Sequence, residues 1–155
     1  MNRSLSKKRG RAGFLMIFGK RKRMIERILV VEDEPLVAFD NEHFLRDAGY
    51  EVVATVDNVA DALAYIGSED ISLVLTDMRL SGDGSGLDVA RAARDRGLPV
   101  MFVTGSCPQE APAVAVACLT KPYSPRDLRA AIEAVDARLR GKDVPRPPTG
   151  LVLFD

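Results

Sequence analysis

Five side chains in this 155-residue sequence are of types that do chemistry together, and each follows an apolar run. Leu73-Val74-Leu75-Thr76 leads into Asp77, and Ile28-Leu29-Val30-Val31 into Glu32 and Asp33. Val100-Met101-Phe102-Val103 leads into Thr104, and Val116-Ala117-Cys118-Leu119 into Thr120, Lys121 and Pro122. Three carboxylates gathered in one small site repel, which raises their pKa values unless a cation offsets them. A hard divalent ion meets that need: magnesium accepts one or two carboxylates and keeps waters for an incoming phosphate. Lys121 adds a fixed positive charge and Thr104 a hydroxyl donor. A carboxylate flanked in this way is equipped to accept a phosphoryl group. Asp77 would be the nucleophile, with the cation and the lysine spreading charge over the equatorial oxygens.

These groups meet only if four strands end at one rim. Strand and helix signals alternate from residue 26 onward, which predicts a doubly wound α/β fold around a five-stranded parallel sheet. Arg27–Val31 reads as the first strand, followed by a helix opened by Pro35 and closed at Gly49, with Val37, Phe44, Leu45 and Ala48 on its inner face. Glu51–Val56 is the second strand. Asn58 caps a helix striped by Val59, Ala62, Leu63 and Ile66 and ended by Gly67. Leu73–Thr76 is the third strand. Ser81-Gly82-Asp83-Gly84-Ser85-Gly86 then forms a loop that matches no nucleotide fingerprint. A helix over about Leu87 to Arg96 and a strand over Val100–Val103 follow. Residues 105–113 hold Gly105, Pro108 and Pro112 and almost no helical periodicity; a fifth strand is predicted over Val114–Leu119. Ser124-Pro125 starts the last helix, with Leu128, Ala131, Ile132, Val135 and Leu139 as its stripe. An acid at the carboxyl end of a strand in such a sheet sits where open α/β folds place their chemistry.

The motifs, taken in order, resemble those of the receiver domain of two-component response regulators. They are Val-Val-Glu-Asp-Glu-Pro at 30–35, Leu-Thr-Asp-Met-Arg-Leu at 75–80, Val-Thr-Gly at 103–105 and Thr-Lys-Pro-Tyr at 120–123. The resemblance spans about residues 26–140. It implies the flavodoxin-like strand order 2-1-3-4-5, and it implies roles. Asp77 would be the phosphoacceptor. Asp33 and Asp77 would bind Mg2+ directly, with the backbone carbonyl of Arg79 as a further ligand and Glu32 acting directly or through water. Thr104 would hydrogen-bond the phosphoryl group and Lys121 would pair with it, next to a cis Lys121-Pro122 bond. Arg79 and Ser106 sit where the family tunes hydrolysis. The implied donor is a histidine kinase or a histidine phosphotransfer protein, and the implied place is the cytoplasm of a bacterium.

Two departures qualify this pattern. The family carries Tyr or Phe three residues before the lysine as a rotating switch; here Cys118 stands there. Only 16 residues separate Thr104 from Lys121, so the fourth helix is expected to be short or absent. That truncation, with Phe-Val-Thr-Gly at 102–105, is partly similar to the single-domain "FATGUY" receivers of alphaproteobacteria and suggests HWE-type kinases as donors. Ser106-Cys107 replaces that group's hydrophobic-Tyr pair.

Net charge is zero, but it is split: residues 1–23 hold nine Lys/Arg and no acid, and residues 24–155 hold 13 Lys/Arg against 22 Asp/Glu, a balance of −9. Residues 1–24 read as a basic, disordered leader, with Met24 a natural start just before the first strand. Its apolar centre, Phe14 to Phe18, is too short for a signal h-region, and nothing approaches the ~20 apolar residues of a membrane span. Such charge runs are ordinarily solvated; the alternative is an arm touching lipid or nucleic acid. Residues 25–140 form the domain. Residues 141–155 form a proline-rich tail, whose Leu151–Phe154 either packs back or docks a partner. The tail is too short for an output domain, so output is expected through protein–protein contact. Cys107, in a loop, and Cys118, in the core, read as two thiols in a reducing compartment.

Bland readings exist for each residue. Glu32 and Asp33 suit a helix start on dipole grounds alone, but that leaves Asp77, Thr104 and Lys121 unexplained. His43 reads as a solvated or half-buried helix residue, the alternative being a phosphorylatable histidine, and Tyr123 as a partner contact or a helix-start staple. The expected protein is not an enzyme beyond catalysing its own phosphorylation and dephosphorylation. The alternative, a magnesium-dependent phosphatase with an aspartyl-phosphate intermediate, wants an acid two residues after the nucleophile, where Arg79 stands.

Overall fold

A computed structural model describes residues 23–155. Six strands form one sheet: β1 Arg27–Val31, β2 Glu51–Val56, β3 Leu73–Thr76, β4 Val100–Thr104, β5 Ala117–Thr120 and β6 Leu151–Leu153, in the order β2-β1-β3-β4-β5-β6. The first five run parallel. Between them lie α1 Pro35–Asp47, α2 Val59–Ser68, α3 Gly86–Asp95, α4 Ala111–Val114 and α5 Pro125–Leu139.

The strands are near-continuous apolar runs because both faces of the sheet are covered. Ile28, Val30, Leu73, Leu75, Met101, Val103 and Leu119 pack with Leu45 of α1 and Leu128, Ile132 and Val135 of α5. Their alternate neighbours Leu29, Val31, Val74, Val100, Phe102 and Cys118 pack with Ala62 and Ile66 of α2, Val89 and Ala93 of α3, and Val114 of α4. The period of two along each strand thus sorts one sequence run into two cores. Asn58 caps α2 by accepting from Asp61 N–H. Ser85 and Ser124 open α3 and α5 with reciprocal capping boxes to Asp88 and Asp127.

The sheet exceeds the expected five parallel strands by one. Part of the proline-rich tail returns as β6, antiparallel to β5, pairing Ala117 with Leu153, Cys118 with Val152 and Leu119 with Leu151. Thr120 N–H donates to Gly150 O at 3.0 Å and Phe154 N–H to Val116 O at 2.8 Å. The tail therefore packs back, since Leu151 and Leu153 add to one core and Phe154 to the other. The fourth helix is a single turn, as expected, but it takes Val114, so β5 starts at Ala117 rather than Val114. Pro112 lies in its first turn, where proline is tolerated, and the helix ends because Ala115 is extended and Val116 N–H already donates to Val100 O at 2.8 Å.

The leader expected over residues 1–24 lies outside the described residues except for its last two. The Arg23 guanidinium stands 4.5 Å over the Tyr50 ring. Met24 and Ile25 donate their N–H groups to the buried Asp136 carboxylate, at 2.7 and 2.9 Å. Among the described residues no helix is long and apolar enough to cross a membrane.

Candidate functional site

β1 and β3 are neighbours, so their carboxyl ends deliver acids side by side. The ladder continues one residue past each strand: Glu32 N–H donates to Val56 O at 2.8 Å and Asp77 N–H to Val31 O at 3.0 Å. Ligand-bearing oxygens of Glu32, Asp33 and Asp77 lie within 4.8 Å of one another. From the next two strands come Thr104, buried at the end of β4, and Lys121, just past β5. Lys121 N–H donates to Thr104 O at 2.8 Å, which locks these two ends together. The Lys121-Pro122 peptide is cis, as the resemblance implied.

Lys121 is the hub. Its Nζ donates to Asp77 Oδ2 at 2.7 Å and to Glu34 Oε1 at 2.7 Å, and lies 3.0 Å from Glu32 Oε1. The other Asp77 oxygen, Oδ1, accepts from Met78 N–H at 2.6 Å and Arg79 N–H at 3.4 Å. Arg79 is thus brought to the rim by its backbone, beside the acid it was expected to assist. Helix α3 presses on the same point: Gly86 N–H donates to Met78 O at 2.8 Å.

The electrostatics separate the two buried acids. Burial pushes the Asp77 carboxyl up, but the Lys121 hydrogen bond and charge, with the Thr104 hydroxyl and the Met78 amide, outweigh it and hold Asp77 below the usual carboxylate value. Burial pushes Glu32 to about 7 despite its contacts to Lys121 and the Glu34 amide. For Lys121, burial works against the charge, but the hydrogen bonds to Asp77 and Glu34 and the charge of Glu32 prevail and raise it above an ordinary lysine. Asp77 is therefore an anion at neutral pH, beside a firmly protonated ammonium.

The donor set fits a hard divalent cation. Glu32 Oε1 is, among the described residues, the one buried side-chain oxygen without a hydrogen-bond partner; its 3.0 Å contact to Nζ has the distance of an ion pair without hydrogen-bond geometry. A buried carboxylate oxygen left in that state is costly. It is clustered with two further carboxylates and with no histidine or cysteine, the chemistry that suits magnesium rather than a softer metal.

The structure brings together all five side chains singled out in the sequence, and adds Glu34 from the same Val-Val-Glu-Asp-Glu-Pro stretch. Its signal was an acid directly after the acid pair, before the helix-opening proline. Glu34 sits at the N-cap of α1 yet makes no side-chain cap. Tyr123 reaches across to α1, where its hydroxyl accepts from Asn41 Nδ2 at 3.1 Å. His43 is solvent-exposed, as expected, and stacks on Phe39.

The cysteines require a correction. Cys107 and Cys118 are bonded to each other, with Cα atoms 6.3 Å apart, so they are not the two free thiols the sequence suggested. Cys118 is fully buried on β5, as expected, and the short β4–α4 connection folds Cys107 onto it.

A doubly wound sheet with an acid cluster, a lysine and a threonine at the carboxyl ends of β1, β3, β4 and β5 defines a class, that of flavodoxin-order α/β domains with a charged site at the sheet rim. Comparison with known proteins places the chain within it. The family described as the response regulator receiver domain matches residues 28–133, and the chain belongs to that family. It is 32% identical over 120 residues to the transcriptional regulatory protein PdtaR of Mycobacterium tuberculosis, covering 74% of this chain and 58% of that one. It is 31% identical over 119 residues to the phyllosphere-induced regulator PhyR of Methylorubrum extorquens, covering 70% and 43%. The chain thus spans about half the length of the curated relatives it matches. Among solved structures, a CheY-like receiver domain protein from Methanospirillum hungatei superimposes with a TM-score of 0.69 at 28% identity, covering 76% of this chain and 98% of that one. A receiver protein from Sinorhizobium medicae gives 0.61 at 31%, covering 70% and 91%.

Proposed function

We propose that this receiver accepts a phosphoryl group on Asp77 from the phosphohistidine of a kinase or phosphotransfer protein, and signals by contact with another protein. The observation that carries the reading is the Lys121 ammonium 2.7 Å from Asp77 Oδ2, beside an orphaned carboxylate oxygen suited to magnesium. Glu32, Asp33 and Asp77, with the Arg79 carbonyl, would hold that ion, which when bound neutralises phosphoryl oxygens. An Asp77 oxygen attacks phosphorus as the bond to the donor imidazole nitrogen breaks, and the bonding pair returns to the ring. Lys121 donates to one phosphoryl oxygen and Thr104 to another, which shares out the transition-state charge. Hydrolysis discharges the acyl phosphate: water attacks phosphorus, the bond to Asp77 breaks, inorganic phosphate leaves with the oxygen of the water and its protons shared with solvent, and the carboxylate is restored.

The donor would be cytoplasmic, and the single-turn fourth helix, with Phe-Val-Thr-Gly at 102–105, favours an HWE-type kinase. Cys118 in place of the ring on β5 means that the signal leaves without an aromatic switch. Movement of Thr104 and of residues 105–123 carries it instead. The acidic body disfavours nucleic acid as the domain's own partner. With Arg79 two residues after Asp77, no second acid is placed to turn over small esters, and the domain works on itself rather than as an enzyme. Incubation with acetyl phosphate and Mg2+ tests this reading: one phosphoryl group per chain, lost when EDTA is present, is expected. No uptake, or multiple turnover of a small phosphate ester such as p-nitrophenyl phosphate, would contradict it.

A further inference from the structure

Glu34 is the acid of the rim that belongs to neither the cation cluster nor the acceptor. We propose that it is a displaceable counter-ion for Lys121, a positioning residue that sets how readily the pocket takes a phosphoryl group. The proposal rests on the phosphoacceptor reading above.

An ammonium has three protons and no acceptor. Lys121 faces three carboxylates: Asp77 and Glu34 each at 2.7 Å, and Glu32 at 3.0 Å. A phosphoryl group on Asp77 draws the ammonium toward itself, in competition with the other two acids. Asp77 itself carries the group. The Glu32 side chain is fully buried, has no water to retreat to, and belongs to the cation cluster. The Glu34 side chain is 59% exposed and makes no helix-capping bond, so water can replace its partner at little cost. The incoming group also brings between one and two negative charges next to this carboxylate. Glu34 therefore both competes for the ammonium and repels what the ammonium should hold. Its backbone N–H, which donates to Glu32 Oε2 at 3.2 Å, is indifferent to the side chain, so Glu34→Gln removes the charge and leaves that support intact.

The test is a titration with beryllium fluoride, which seats on a carboxylate as a phosphoryl mimic, followed by 19F NMR in Mg2+. Glu34→Gln is expected to bind about threefold more tightly than the wild type at low ionic strength. The gain should shrink as salt screens the exposed charge. Glu34→Ala, with the same loss of charge, should repeat it. Asp47→Asn removes another exposed acid, at the other end of α1, and is expected to leave affinity unchanged. Unchanged or weaker binding by the Glu34 variants overturns the proposal, as does an equal gain in Asp47→Asn. If the wild type takes up no beryllium fluoride in Mg2+, the phosphoacceptor reading itself fails, and this inference with it.

Discussion

Gly86 fixes how closely helix α3 can approach the strand end that carries Asp77. A Cβ at that position would lie 2.0 Å from the Asp77 carbonyl oxygen, which is backbone and cannot step aside. Gly86→Ala is expected to destabilise the domain by about 3 kcal/mol in denaturant titration. It should also slow phosphoryl uptake more than a loss of stability alone would, because the acceptor moves. That constraint was invisible in the sequence, where Gly86 is the third glycine of a loop and the neighbour it must clear lies nine positions away. The chemistry itself was legible. Glu32, Asp33, Asp77, Thr104 and Lys121 each follow an apolar strand, and parallel strands with buried faces bring their carboxyl ends to one rim. Glu34 was not legible, since an acid ahead of a proline at a helix start is as well explained by the helix dipole.

At the scale of elements, the β4–α4 connection and the tail strand are where sequence and structure part. The crowding of Gly105, Pro108 and Pro112 correctly announced a short fourth helix. It did not announce the Cys107–Cys118 bond, because pairing depends on how a loop folds over β5 rather than on spacing along the chain. The bond closes a short loop with a sequence separation of 11 and should contribute about 3 kcal/mol. Unreduced protein is expected to take up no alkylating reagent under denaturing conditions and to melt several degrees above the reduced form. Two alkylated cysteines without prior reduction would contradict the bond. β6 was hidden for another reason. Three residues are too few to show an alternating pattern, and the prolines before them read as an end to structure, although Leu151 and Leu153 have apolar surface to cover beside β5.

For the whole molecule, the fold was legible because a repeating order of apolar run, turn and amphipathic stripe has few compact solutions. The same architecture concentrates negative charge: three carboxylates converge at one end of a body whose overall balance is −9. Magnesium is therefore expected to stabilise the folded chain, by ~2.7 kcal/mol at a hundred times its Kd, seen as a rise in melting temperature that EDTA reverses. Asp33→Asn should blunt that rise, and an equal response in the variant would place the ion elsewhere. The central claim is that one carboxylate, Asp77, takes the phosphoryl group. Intact-protein and peptide mass spectrometry after treatment with acetyl phosphate and Mg2+ tests it most directly. A single phosphoryl group mapped to Asp77, and none on Asp77→Asn, is expected; labelling of that variant to the same extent and at the same rate would contradict the assignment.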